Sequence, residues 1–199
     1  LLECGVADAL EYTCLNDFQF LGISLSAVAA GGAVALLGRN EGGKTLSREA
    51  VFVVLESVAI CFQAEALYRD RPMPFVTSNF ARVVTMCISD ANKRAMVQYD
   101  GLVQMLLDCL VLDASNPRHG QDGVGALQES CAGVFQELAL FGPSADLLRS
   151  HAGTVDSLRA LARVGSVKSQ ECASAALFEL EHEKRTARMA ERANVDGVG

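Results

Sequence analysis

The sequence predicts an all-α protein, an α-solenoid of stacked helical repeats that is irregular in its N-terminal part. Three observations predict this class. Residues 128–138 align with residues 170–180, 42 positions later, with Gln, Glu, Glu and Leu identical and small residues matched to small ones. A motif of Gly, then Val or Ala two residues later and Leu five residues later, recurs along the chain. The 199 residues are half apolar, with no Trp and only four Pro, which suits closely packed helices.

The N-terminal part contains two copies of the glycine motif, at Gly5 and Gly32, and the most apolar stretch of the chain, 18–37. That stretch has no charged residue between Asp17 and Arg39 and approaches the length of a membrane span. Its glycines and the lack of a basic N-terminal flank favour a buried solenoid helix instead. We therefore expect no membrane span.

The next segment matches the phosphate-loop pattern G-x-x-x-x-G-K-[ST] from Gly38 to Thr45. In a nucleotide site the loop amides between Gly38 and Gly43 would bind the phosphates. Lys44 would contact the β and γ phosphates, and Thr45 would hold magnesium. Nucleotide binding through these four residues is one alternative function.

The residues after this loop favour a helix over the sheet that a nucleotide site needs. Apolar residues from Val51 to Phe62 recur at helical spacing, without alternating strands and helices. Ser47 lies just before this stretch, and Glu49 comes two residues after Ser47. This is the pattern of a helix cap with an acidic first turn. We expect 38–47 to be a loop and 48–59 to be a helix, with a further helix over 78–88.

The C-terminal half contains two units of three helices each. The first is predicted over 90–97, from Gly101 to Leu112, and over 128–140, with a Pro- and Gly-containing loop at 113–123. The second is predicted over 144–153, 154–163 and 168–181, prolonged by the mixed-charge segment that follows. Gly101 and Gly153 suit sharp corners that require positive φ.

These units resemble the armadillo repeat. Residues 144–153 are similar to its short first helix with a closing Ala-Gly, 154–163 to its second helix and 168–181 to its long third helix. The resemblance is best over 90–186. It implies a right-handed α-solenoid forming one domain over 1–193, and we expect 194–199 to be a disordered tail.

The resemblance also implies a concave groove lined by the third helix of each repeat, with ligand contacts four residues apart. Family members that clamp basic peptides typically present Trp and Asn there, whereas this chain has small and acidic residues, which puts an importin-like clamp in doubt. An acidic groove favours a basic partner segment, although a row of Glu on a helix is also typical of a solvated face. The predicted partner-binding residues are Glu129, Gly133, Glu137, Glu171, Ala175, Glu179 and Glu183.

Charge and cysteine usage exclude several function classes. A formal net charge of −7 without a basic stripe argues against nucleic acid as a partner. The seven cysteines are odd in number and lack a C-x-x-C pair, so we expect small buried side chains in the cytoplasm or another reducing intracellular compartment. The three histidines lack metal-ligand spacing, and no catalytic residue, metal or cofactor is expected.

The predicted function is therefore that of a protein-protein interaction scaffold without enzymatic activity, which binds a protein or peptide segment along its groove. Besides nucleotide binding, a second alternative is an architectural segment of a larger assembly. The chain begins without Met inside an apparent helical unit, which is typical of a piece of a longer protein.

Overall fold

The described part of the chain is helical. The computed structural model describes residues 46–67, 83, 86–87 and 89–196, and these residues contain seven helices and no strand. The predicted all-α class is confirmed. The helices are α1 (Arg48–Leu67), α2 (Asp90–Met96), α3 (Leu102–Asp108), α4 (Val124–Ala139), α5 (Gly142–Ser150), α6 (Thr154–Val164) and α7 (Val167–Asp196).

Helix α1 begins where its sequence predicts. The Ser47 hydroxyl accepts a hydrogen bond from the backbone N–H of Ala50 at 3.2 Å, so it caps the first turn. The predicted apolar stripe is buried against the rest of the protein, at Val51, Val54, Leu55 and Val58. The predicted cap and helix are both confirmed.

Glycines with left-handed backbone start three of the helices. Gly101 has a φ of 79° before α3 and Gly153 a φ of 84° before α6, as the corner prediction requires. Gly123 has a φ of 83° before α4 and lies outside the predicted motif. A side chain at such a φ collides with the backbone, which favours glycine at these corners.

The last three helices, α5 to α7, pack on their counterparts among the three helices before them, α2 to α4. Helix α7 packs along α4, α5 contacts α2, and α6 contacts α3. Helix α7 also packs along α6, and α1 packs against α2. Helices α2, α3 and α4 therefore contact α5, α6 and α7 respectively, in the same chain order.

Three pairs of residues 42 positions apart in α4 and α7 share their burial. The side chains that face the common core are fully or almost fully buried in both helices, as small or branched apolar residues. The core cluster runs without interruption from Leu46 to Leu180. The aligned buried pairs are Cys131 with Ala173, Val134 with Ala176, and Leu138 with Leu180.

The connection between α3 and α4 is much longer than the one between α6 and α7, as predicted for the 113–123 loop. It is also anchored to the core, because Leu110 and Val111 are buried. Val111 has a φ of 46°, which is unusual for a β-branched residue. The Gln128 side-chain amide donates to the carbonyl oxygens of Leu110 and Val111 and holds this backbone.

Helix α7 continues to Asp196, which confirms the predicted prolongation of the last helix. Residues 194–196 of the segment predicted as a tail belong to this helix, and 197–199 lie outside the described residues. The apolar stretch 18–37, the glycine motifs at Gly5 and Gly32, and most of 78–88 also lie outside them. No helix in the described part combines the length and apolar character that a membrane crossing requires.

Candidate functional site

Four glutamates of the predicted binding set occupy matching positions on the two packed helices α4 and α7. Glu129 and Glu137 lie on α4, and Glu171 and Glu179 lie on α7; we call these four residues the acidic row. Glu171 is exposed and the other three are half-buried. Gly133 and Ala175, which lie between the glutamates in sequence, are half-buried too, while for Glu183 only the backbone position in α7 is described.

The thiol of Cys172 lies within reach of carboxylate charges from both helices. This half-buried thiol has its pKa raised, first by burial and then by the charges of Glu171, Glu129 and Glu137. The ammonium of Lys168 acts in the opposite direction. Glu129 and Glu137 of α4 and Glu171 of α7 therefore all lie near enough to Cys172 to act on its charge.

One member of the acidic row is paired within the chain. The Nζ atom of Lys93 lies 3.8 Å from Oε2 of Glu137 and 3.4 Å from Oδ1 of Asp90. The Lys93 side chain is only 6% exposed, so its charge depends on these carboxylates for stabilisation. Glu137 therefore offers less net negative charge to a ligand than the sequence alone indicates.

The other members differ in how available they are. The Ser166 hydroxyl donates a 2.7 Å hydrogen bond to Oε1 of Glu129, which fixes this carboxylate at the corner before α7. Glu171 and Glu179 make no ion pair with the residues that the structure describes. The available negative charge is thus concentrated on α7.

A cavity of about 330 Å³ lies at the corner between α2 and α3, against the end of α5. Tyr99, Gln104, Leu147 and His151 contribute to its wall. The Tyr99 hydroxyl donates a 2.5 Å hydrogen bond to Glu56 of α1, and burial together with this carboxylate raises the pKa of the phenol. The cavity could not be predicted from the sequence, because its walls come from separate segments of the chain.

The described cysteines are mainly packing residues. Cys87, Cys109 and Cys131 are buried, as predicted, and burial raises the pKa of Cys87 and Cys131. The Cys131 thiol donates to the carbonyl oxygen of Leu106 at 3.0 Å. Within the described ranges, no three His, Cys, Asp or Glu side chains are grouped so that they could hold a metal ion.

Fold and site together define an all-helical protein with an acidic row across two matched helices. Comparison with protein-family models, with curated proteins and with solved structures finds no match for this chain. The phosphate-loop match at Gly38, Gly43, Lys44 and Thr45 lies outside the described residues.

Proposed function

We propose that this chain is a right-handed, armadillo-like α-solenoid that acts as a protein-protein interaction scaffold. Two features support the solenoid. Helices α2, α3 and α4 are met by α5, α6 and α7 in the same order, and α4 and α7 share buried positions at an offset of 42 residues. Repeats that contact their neighbours in this way stack into an extended binding surface.

The scaffold binds a basic, extended segment of a partner protein along the third helices. The observation that carries this proposal is the placement of glutamates at matching positions on the packed helices α4 and α7, where Glu129, Glu137 and Glu171 all act on the charge of Cys172. Carboxylates from two helices reinforce one another's field at a partly buried point, where charges are screened less than in open solvent. A cationic side chain of the partner is therefore bound most strongly at this partly buried point.

The shape of this surface also favours an inserted side chain. Gly133 and Ala175 lie between the glutamates of α4 and α7 respectively, so no bulky group projects from either position. Glu171 and Glu179 carry the charge left over after Lys93 has paired with Glu137. We expect Arg or Lys side chains of the partner to contact these two carboxylates first.

The binding test is fluorescence anisotropy with an extended Arg- and Lys-rich peptide at low salt. Reversing the charges with E171K and E179K should weaken binding roughly tenfold or more, because two attractive contacts become repulsive. The matched control reverses two exposed carboxylates outside the acidic row, with D100K and D122K. Both double variants change the net charge equally, so only the location of the charge differs.

Equal weakening in the two variants would show that net charge attracts the peptide, and would refute the groove. Absence of peptide binding by the unmodified chain would refute it as well. A selective loss in E171K/E179K, with the peptide bound more weakly at high salt, supports the proposed site.

A further inference from the structure

The cavity at the corner between α2 and α3 is separate from the acidic row, since none of the four glutamates lines it. Its described wall consists of residues 97–104 together with Leu147 and His151 from the end of α5. Its volume of about 330 Å³ is at the lower end of the range for small-molecule sites. Val97 and Leu147 are half-buried and make part of the wall apolar. The cavity therefore fits a small molecule with an apolar part.

Two polar side chains of the wall use their donor groups inside the protein. The Tyr99 hydroxyl donates to Glu56 at 2.5 Å. The Gln104 amide donates through Nε2 to Oδ1 of Asp108 at 2.7 Å. The Gln104 carbonyl oxygen Oε1 and the lone pairs of the Tyr99 oxygen remain as acceptors for a ligand.

The contact of His151 has the same consequence. Its Nδ1 atom lies 3.1 Å from the carbonyl oxygen of Ala152. A carbonyl oxygen only accepts, so this hydrogen bond requires a proton on Nδ1. Nε2 of the neutral ring is then an acceptor. The remaining polar side chain of the described wall, apart from Asp100, is the exposed amide of Gln98.

The charge of the wall is negative. Asp100 is exposed and makes no ion pair with the residues that the structure describes. Neither Lys nor Arg is among the described residues of the wall. Most of the polar groups thus offer acceptors, and one of them is a carboxylate. Guanidinium and ammonium groups match such a wall, because they carry donors, no acceptor and a positive charge.

We propose that this cavity binds a small organic cation, a guanidinium or primary ammonium group on a short apolar chain. The cationic head donates to the carboxylate of Asp100, to Oε1 of Gln104 and to Nε2 of His151. The apolar chain lies against Val97 and Leu147. This is a small-molecule site in addition to the proposed scaffold function, and it shares no residue with the acidic row.

The test is a titration of the ¹⁵N-labelled full chain with n-butylguanidinium, followed by two-dimensional ¹H–¹⁵N NMR spectra. We expect the backbone amide signals of Gly101, Gln104 and His151 to shift together, with a dissociation constant on the order of 1 mM. n-Butylurea is the matched control ligand, because it has nearly the same shape but no charge and carries an acceptor. It should bind roughly tenfold more weakly or worse.

Variants locate the site. D100N should weaken binding roughly threefold to fivefold, since it removes a charge at an exposed position. D122N is the matched control, because Asp122 is an equally exposed carboxylate outside the wall, and binding should persist. Q104W fills the cavity from an exposed position of α3 and should abolish binding. Far-ultraviolet circular dichroism confirms that each variant stays helical.

Three results would each overturn the proposed cavity site. They are unshifted amide signals at about 10 mM n-butylguanidinium, equal binding of n-butylurea, and equal weakening in D100N and D122N. The E171K/E179K variant should shift the same three amide signals as the unmodified chain does. Failure of the acidic row and failure of the cavity are therefore distinguishable.

Discussion

Gly153 shows how a single residue determines a corner of this fold. Its φ of 84° costs a residue with a side chain about 1–2 kcal/mol, and a Cβ atom built at this position would meet nothing within 4 Å. The cost of Gly153→Ala is therefore conformational rather than steric. We expect the free energy of unfolding to fall by about 1 kcal/mol, measured by urea denaturation.

Gly125 provides the matched control for this substitution. It lies in the first turn of α4 and is equally free of neighbours, but its backbone is helical. Gly125→Ala should leave stability unchanged or raise it by up to about 1 kcal/mol, because alanine favours the helix. Equal effects of the two substitutions would contradict the role given to positive φ.

Residue roles that depend on local sequence could be predicted, and those that depend on distant partners could not. Ser47 and Gly153 act on the backbone of their own helix starts, so spacing and residue type were sufficient. Lys93 is buried because it meets Glu137, 44 positions away in sequence. Tyr99 likewise depends on Glu56 across a separation of 43 positions. Nothing in the neighbouring sequence indicates either partner.

The start of α1 permits a test of a single element. Ser47→Ala removes the hydroxyl that accepts from the Ala50 N–H, and should lower the free energy of unfolding by about 1 kcal/mol. Ser47→Asp keeps an acceptor at the same place and should retain most of the stability. Thermal denaturation followed by circular dichroism distinguishes the two. Equal losses in both variants would show that the cap contributes little.

At the scale of elements, helix positions followed from periodicity while the connections did not. The predicted ranges 154–163 and 90–97 match α6 and α2 closely, whereas the helix predicted from Gly101 to Leu112 ends at Asp108 as α3 and the helix predicted over 128–140 begins at Val124 as α4. The 113–123 loop was recognised from its Pro and Gly. Its attachment through Val111 and Gln128 was not, since it depends on α4 lying against the end of α3.

At the scale of the whole molecule, the described residues enclose α4 on a side where α7 is open to solvent. Ala132 and Ser174 are 42 residues apart and occupy the same position in their helices, yet the first is fully buried and the second is exposed. Ser174, the larger and polar residue of the pair, is at the position that is exposed to solvent. The same contrast holds for Ala139, which is buried, and Glu181, which is exposed and pairs with Arg159 at 3.2 Å.

The last prediction uses the pair Ala132 and Ser174 to test the stacking order. Ala132→Leu adds bulk to a closely packed interior position and should lower the free energy of unfolding by about 1–3 kcal/mol. Ser174→Leu makes the same side chain at the matched position of α7, where solvent accommodates it, so the change should stay within about 0.5 kcal/mol. Urea denaturation of both variants measures the difference. Because the core is continuous from Leu46 to Leu180, the loss in Ala132→Leu should shift one cooperative transition rather than split it. Similar losses in both variants would mean that α7 is covered as α4 is.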